Sequence, residues 1–392
     1  MLPPIEGVGM ADDPEVKELL KLKGLEKAYV HAAEFAQLFV RELFLGNSRD
    51  VWVMPVRLLP QVKTTLLDPT EPEAAVGAIS LGGVTAAPGD LPMLETVQRL
   101  DLKTGELEAE RVFTAATDLW LNDHRPFKFL KYPPVSGIMA VETFFEAARL
   151  LHPHLHIVGA RQVAYRDLLD CPLDQRRVAR IHCRSLASNP GELLCQVTIS
   201  SPLISPSGRE LERWTTNFAG QVILGCKPRS LPALPGFPVK PEEIETRPMS
   251  PEEVAEYYET RTSMQGRYRV MESLEGTGPG CIRGAMLYRE VRDFPGEGPN
   301  HYQFSPYLLE SFLHLANFYV VMRDEEEERR LIPAAIGELL FTRHCREGER
   351  LVLEARLVNE NPESHTWMAR ALDAAGATVM QVTGLQLRWF VE

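Results

Sequence analysis

The sequence contains little that indicates a metal site, a membrane span or secretion. No stretch approaches the roughly 20 uninterrupted apolar residues that a membrane span needs, and no secretory signal is recognisable. The six cysteines form no C-x-x-C pair, so we expect no bound metal and interpret them as scattered thiols of a cytoplasmic protein. A net charge of −12 argues against nucleic acid or an anionic membrane as the main partner.

The chain is long enough for several folded units. It has 392 residues, of which 44% are hydrophobic and 24% charged, as in ordinary soluble proteins of two or three domains. Residues 1–60 suggest helix, helix and strand, and the proline-containing residues 61–93 suggest a linker. Two similar blocks follow at 94–225 and 251–392, joined by a proline-rich connector at 226–250 that we expect to be extended.

Each block combines one long apolar helix with several antiparallel strands. The helices are predicted at Gly137–Leu151 and Pro306–Met322 because apolar residues cover most of their circumference, which is typical of buried helices. A strand is predicted at Arg111–Trp120 before the first helix, and one near Tyr268–Ser273 before the second. The repeated pattern predicts a duplicated α+β unit.

Both helices carry a narrow polar stripe at i, i+4 and i+7. The stripes consist of Glu142, Glu146 and Arg149 on the first helix and of Glu310, His314 and Asn317 on the second. Charge is costly to bury without compensation. Either Glu310 and His314 satisfy each other, or the second stripe lines a cavity in which a desolvated Glu310 holds and donates a proton near neutral pH.

His124 is the histidine with the most informative surroundings. It lies in the loop Leu121-Asn-Asp-His-Arg-Pro-Phe-Lys-Phe-Leu-Lys-Tyr-Pro133, ahead of the first long helix. Histidine titrates near neutrality and suits a general base. His152, His154 and His156 alternate at the end of that helix, and we interpret them as solvated helix-end residues because alternate side chains point in different directions.

These motifs together resemble the dehydratase domains of type I polyketide synthases and polyunsaturated-fatty-acid synthases. His124 to Pro133 follows that family's H-x-x-x-G-x-x-x-x-P pattern, with Lys128 in place of glycine. Glu310 to His314 follows its D-x-x-x-(Q or H) pattern, with glutamate in place of aspartate. The resemblance runs from residue 94 to residue 392. Residues 1–60 separately resemble the C-terminal end of a synthase ketoreductase domain, to which we assign no activity.

The resemblance implies a double hot-dog fold, in which two antiparallel sheets each wrap around a long central helix. It also implies a homodimer within a synthase, no bound cofactor, and a tunnel for the phosphopantetheine arm of an acyl carrier protein. The implied reaction removes water from a 3-hydroxyacyl thioester, with His124 as base and Glu310 as acid. His314, Asn317 and Pro133 would support them.

The residue types suit this reaction on chemical grounds as well. Backbone amides near Gly137, at the N-terminus of the first long helix, are candidates to stabilise an enolate-like carbonyl. No G-x-S-x-G nucleophile motif is present, and elimination needs none. A cyclase or isomerase of the same fold, and an inactive structural or carrier-docking domain, remain alternatives because chemistry belongs to the site rather than to the fold.

Overall fold

The computed structural model describes most of the chain from residue 91 onward. The described residues are 91–126, 130, 132–172, 175–186, 192–204, 210–290, 292–295, 302–323 and 331–390. The ketoreductase-like segment at 1–60, nearly all of the predicted linker at 61–93, and Lys128 lie outside them. None of the helices in the described ranges is long and apolar enough to cross a membrane.

The two halves of the described chain repeat one order of elements, two strands, a long helix and four strands. In the first half these are β1 Thr96–Asp101, β2 Glu106–Phe113, α2 Gly137–Leu151, β3 His156–Tyr165, β4 Arg177–Ser185, β5 Glu192–Ile204 and β6 Glu210–Gly225, with a short helix α1 Trp120–Asp123 after β2. In the second they are β7 Ser273–Gly278, β8 Cys281–Leu287, α4 Pro306–Arg323, β9 Leu331–Phe341, β10 Arg350–Glu360, β11 Ser364–Leu372 and β12 Thr378–Trp389, preceded by helix α3 Pro251–Arg261. This duplication confirms the α+β class.

The strands form one continuous antiparallel sheet rather than two separate ones. Its order is β1-β2-β4-β5-β6-β3-β9-β12-β11-β10-β8-β7, so the two halves mirror each other about the β3–β9 pair. That pair runs antiparallel, with Ala160 opposite Leu339 and Ala164 opposite Ala335. The double hot-dog prediction is confirmed, with the refinement that main-chain hydrogen bonds join the two sheets at their inner edges.

The two long helices lie where their composition predicts. Helix α2 has the predicted bounds, and α4 extends one residue beyond the prediction, to Arg323. Nearly all residues of both are buried, because α2 packs on the strands of the first half, α4 packs on those of the second, and the helices contact each other. Both acids of the first stripe, and Glu310 and His314 of the second, are buried, so these polar groups need partners.

Some local predictions were wrong. Strand β2 ends at Phe113, and Trp120–Asp123 is a short helix with His124 as its C-terminal flanking residue, not the end of a strand. The segment before β7 contains a 3₁₀ turn at Gly266–Tyr268 where a strand was predicted. The polar or mixed composition of these segments is compatible with strand or turn, and contacts with the opposite half decide between them.

The connector between the halves is not simply extended. It contains a 3₁₀ turn at Pro241–Glu243, and both carboxylate oxygens of Glu243 accept hydrogen bonds from Arg356 of β10 at 2.8 Å. The connector is thus fastened to the second half by an ion pair in which one nitrogen, Nη2 of Arg356, donates to both carboxylate oxygens. The domain limits given above stay predictions.

Candidate active site

A cavity lies between the two halves and is lined by residues of both. Its empty volume is about 1140 Å³, with openings to solvent. Five of the predicted site residues line it, namely His124, Gly137, Glu310, His314 and Asn317. Apolar side chains such as Leu313, Phe318 and Phe218 make up much of the remaining wall. The cavity thus combines an apolar surface with a few converging polar groups, as ligand sites do.

His124 is held in one tautomer by a backbone group. Its Nδ1 lies 2.8 Å from the carbonyl oxygen of Pro134. Because a carbonyl can only accept, Nδ1 carries the hydrogen and Nε2 has a free lone pair. The ring of Tyr268 packs against the imidazole with centroids 4.7 Å apart, which restricts its rotation. The free Nε2 is therefore available as a base.

The surroundings of His124 also keep it neutral. Burial lowers its pKa, and this effect outweighs the nearby Glu310 charge, which raises it. Only 8% of the residue is exposed. A neutral imidazole at physiological pH can accept a proton, whereas an imidazolium cannot.

Glu310 lies at the end of a chain of hydrogen bonds. The amide of Met271 donates to the hydroxyl of Tyr258 at 3.2 Å, and that hydroxyl lies 2.7 Å from Nδ1 of His314. If the hydroxyl donates to Nδ1, Nε2 of His314 carries the hydrogen, and it lies 3.0 Å from Oε1 of Glu310. This order satisfies every group and leaves the second carboxyl oxygen of Glu310 available for a proton.

The N-terminus of α2 also faces the cavity, through Ser136 and Gly137. The first amides of a helix have no partner within it and carry the positive end of the helix dipole. Gly137 is required by a close approach, since a Cβ there would lie 2.5 Å from Cε1 of Tyr165. The absence of a side chain at Gly137 thus makes room for the Tyr165 ring beside this helix end.

The other two predicted supporting residues have structural contacts. The amide nitrogen of Asn317 donates to the carbonyl of Leu331 at 3.1 Å, and its oxygen accepts from the Leu331 amide at 3.0 Å, which fastens α4 to the start of β9. The carbonyl of Pro133 accepts a hydrogen bond from the Cys171 amide at 2.9 Å. Pro133 is not among the cavity-lining residues, so it shapes the loop rather than the wall.

The matching stripe on α2 serves a different purpose. One carboxyl oxygen of Glu142 accepts a hydrogen bond from the Gln303 amide at 2.6 Å, and Glu146 accepts one from the Met93 amide at 2.8 Å. Burial raises the pKa of Glu142 to about 8, and burial together with the Glu142 charge raises that of Glu146 well above its usual range. These two acids anchor neighbouring segments and do not line the cavity.

Sequence reasoning missed three cavity tyrosines, Tyr165, Tyr257 and Tyr258. Tyr258 could have been found from the sequence, because Tyr257 and Tyr258 are adjacent aromatic residues on a largely polar helix. Tyr165 lies at the end of β3, a strand that was not predicted. Burial and the charge of Glu310 raise the pKa of Tyr165, so its phenol stays protonated and can donate a hydrogen bond to a bound molecule.

The described residues contain no group of three or more histidine, cysteine or acidic side chains arranged to hold a metal ion. The site consists of a neutral imidazole, a carboxyl group and a helix N-terminus around one partly apolar cavity. The protein is thus a double hot-dog protein in which each half contributes one ionisable side chain, His124 or Glu310, to the same cavity.

Comparisons with known proteins support a more specific assignment. The family model described as polyketide synthase dehydratase N-terminal domain matches residues 237–392. The dehydratase domain from the CurF module of curacin polyketide synthase has a TM-score of 0.58 at 16% identity, covering 76% of this chain and 99% of that one. The CurK dehydratase gives 0.56 at 14% identity, covering 77% and 99%.

A trans-AT polyketide synthase dehydratase domain from Brevibacillus brevis gives a TM-score of 0.55 at 13% identity, covering 76% of this chain and 98% of that one. No curated protein matches the sequence. Residues 237–392 are thus similar to the polyketide synthase dehydratase family, and the described region has the double hot-dog fold of such domains.

Proposed function

We propose that this chain removes water from a 3-hydroxyacyl thioester, carried on an acyl carrier protein of a polyketide or fatty-acid synthase, to give the 2,3-enoyl thioester. The observation that carries the proposal is the pairing of His124 with Glu310. One comes from each half, and both line the same cavity.

In the proposed mechanism His124 is the base. Its Nε2 takes the proton from C2 of the substrate, and the electrons of that C–H bond move to the C1–C2 bond to form an enolate-like thioester. Amides at the start of α2, near Gly137, would donate hydrogen bonds to the developing oxyanion, and the helix dipole would favour the negative charge.

Glu310 is the acid in this scheme. As the electrons form the C2–C3 double bond, the C3–O bond breaks, and the free carboxyl oxygen of Glu310 gives its proton to the leaving hydroxyl, which departs as water. The hydrogen bond from His314 to the other oxygen would orient the carboxyl group and stabilise the carboxylate that forms. A proton then returns from His124 to Glu310 through solvent.

Related enzymes support the same residue types. Two structures of the CurK dehydratase are described as inactive mutants, one with phenylalanine in place of a histidine and the other with asparagine in place of an aspartate. In this chain the acid is a glutamate, which is one methylene longer. The contact with His314 gives this longer side chain a fixed position in the cavity.

The test is turnover by the intact chain. The protein is incubated with a 3-hydroxybutyryl pantetheine thioester, and the products are analysed by mass spectrometry. We expect a product lighter by one water, and hydration of the enoyl thioester in the reverse direction. Absence of both reactions with folded protein would overturn the proposal, and a product of unchanged mass would indicate an isomerase instead.

The proposal of a carrier-protein partner is supported by two arginines at the exposed edge of the cavity. Arg166 and Arg388 are both exposed and both line it. The arm that carries the substrate contains a phosphate, and guanidinium groups bind phosphate through paired hydrogen bonds. We therefore assign these two arginines to binding that phosphate, with the thioester extending inward to His124.

Arg388→Ala is expected to weaken binding of substrates that contain the phosphate. Loss of a charge-assisted hydrogen bond should raise KM for a 3-hydroxyacyl phosphopantetheine about tenfold. KM for the corresponding pantetheine, which lacks the phosphate, should change by less than about twofold. Arg229→Ala removes another exposed arginine, outside the cavity lining, and serves as the control. Equal effects on both substrates would contradict the phosphate assignment.

We also propose that the chain forms a homodimer and lies next to other synthase domains. Light scattering of the purified chain tests it, and a monomer at micromolar concentration would contradict it.

A further inference from the structure

The residues that join the two halves next to His124 form a compact charged cluster, which we call the Arg267 clamp. It consists of Asp123, Arg267, Asp293 and Tyr307. Nη1 of Arg267 lies 2.5 Å from a carboxylate oxygen of Asp123, and its Nε lies 2.6 Å from Oδ1 of Asp293. The side chain of Arg267 is only 12% exposed and that of Asp293 is fully buried, so solvent screens these ion pairs weakly.

The clamp holds the short helix α1 at both ends. At its N-terminal end the Leu119 amide donates to the Asp293 carbonyl at 2.9 Å, and Nη1 of Arg267 donates to the Leu119 carbonyl at 3.2 Å. At its C-terminal end Asp123 bonds Arg267 and directly precedes His124. The position of the His124 backbone therefore depends on groups from the second half.

Backbone contacts strengthen the same junction. The Gln265 amide donates to the carbonyl of Asp123 at 3.0 Å. Gly266 has φ +45°, and a Cβ there would lie 2.5 Å from a carboxylate oxygen of Asp123. The 3₁₀ turn can approach Asp123 this closely because glycine occupies that position.

On its other side the clamp reaches the helix that carries Glu310. Asp293 accepts a hydrogen bond at 2.7 Å from the hydroxyl of Tyr307, in the first turn of α4. Glu310 lies three residues further along that helix. A continuous series of ion pairs and hydrogen bonds thus runs from Asp123 through Arg267 and Asp293 to Tyr307, in which the link between Arg267 and Asp293 is an ion pair. His124 directly follows Asp123, and Glu310 lies about one helical turn beyond Tyr307.

We propose that Arg267 is a positioning residue that sets the distance between His124 and Glu310. The inference rests on the proposed dehydratase function. The base and the acid stand on different halves of a duplicated fold, so their separation depends on contacts between the halves. The β3–β9 pairing joins the sheets, whereas the Arg267 clamp joins the halves next to His124. Arg267 bonds both sides of the junction through one rigid guanidinium group. A displacement of about 1 Å between reacting groups can cost about 100-fold in rate.

The test compares Arg267→Met with Arg267→Lys in the full chain. The methionine variant should lose about 30- to 100-fold in kcat, with KM changed less than about threefold, because the cavity wall remains while the reacting groups separate. Lysine should restore about a third to a tenth of wild-type kcat, since an ammonium group can bond one carboxylate but lacks the planar fork. Asp123→Asn is a milder change at the same junction and should lower kcat about tenfold. It replaces Arg267→Met as the test if the methionine variant does not fold.

Arg356→Met is the matched control. Arg356 is similarly protected, at 18% side-chain exposure, and bonds Glu243 of the connector rather than the His124 turn. It should lose thermal stability as Arg267→Met does, while its kcat stays within about twofold of wild type. A kcat of Arg267→Met within about threefold of wild type, or an equal loss in Arg356→Met, would overturn the inference.

A spectroscopic readout separates this inference from the proposed activity. In the ¹⁵N-histidine spectrum, the Nδ1 proton of His124 is protected by its bond to Pro134 and is assigned by its loss in His124→Ala. It should shift or broaden in Arg267→Met and remain unchanged in Arg356→Met. If the wild type is inactive but the His124 signal changes in Arg267→Met, the dehydratase proposal alone is refuted. If the wild type is active but the signal does not change in Arg267→Met, the positioning role alone is refuted.

Discussion

Replacement of His124 by alanine is expected to lower kcat by about 10³-fold, because the residue proposed as the base would be removed from the cavity. The helix N-terminus and the cavity wall remain, so KM should change by less than about threefold. The measurement is steady-state turnover of the 3-hydroxybutyryl pantetheine thioester. His154→Ala, which removes an exposed histidine outside the cavity lining, is the control and should match wild type.

The pH profile gives a second readout of His124. Burial lowers its pKa from the usual 6.5, so the neutral base persists to lower pH than in a free histidine. Activity should be constant through neutrality and fall only as the pH drops through this lowered pKa, where the imidazole becomes protonated. An acid limb of kcat/KM at or above 6.5, the usual value, would contradict the assignment, as would appreciable turnover by His124→Ala.

Glu310→Gln is the second change with a large expected effect. An amide keeps the shape of the side chain and can still accept from His314, but it cannot give a proton to the leaving hydroxyl. We expect kcat to fall about 10²- to 10³-fold. Substrates with a better leaving group at C3 should recover part of this loss, because they need less protonation. If kcat falls equally for the hydroxyl substrate and for the substrate with the better leaving group, Glu310 does not donate the proton and only maintains the shape of the site.

Glu310→Asp tests the reach of the carboxyl group. Aspartate is the residue of the family pattern, but here it would withdraw the carboxyl by about 1.5 Å and break the bond to His314. We expect a loss of about tenfold or more. Glu146→Gln is the control, since Glu146 is a buried acid of the matching stripe on α2 and does not line the cavity. It should keep kcat within about twofold of wild type.

The long helices could be predicted because their signals are local. Gly137–Leu151 and the stretch from Pro306 onward carry nearly continuous apolar surfaces with one polar stripe, and that pattern shows both the helix and its burial. It does not show what each stripe contacts. The two stripes read alike in sequence, yet Glu142 and Glu146 accept amides of neighbouring segments while Glu310 and His314 line the cavity.

Strands β3 and β9 were harder to predict because they lie at the centre of the sheet and contact both halves. Their register, such as Val163 opposite Ile336, depends on pairing between segments far apart in the chain. Only the β3–β9 pairing shows that the sheet is continuous. Tyr165, at the end of β3, pairs instead with Phe218 of β6 and lies beside the N-terminus of α2.

The sequence by itself determined the duplicated α+β architecture, the bounds of the two buried helices and the candidates His124 and Glu310. These follow from periodicity, composition and motif spacing, which act over a few residues. Only the tertiary structure decided that both residues line one cavity, that Tyr258 and His314 orient the acid, and that Arg267 connects the halves beside the base. Such contacts join groups far apart in the chain, as between Arg267 and Leu119, which are separated by 148 positions, and no local pattern encodes a distance between segments that meet only after folding.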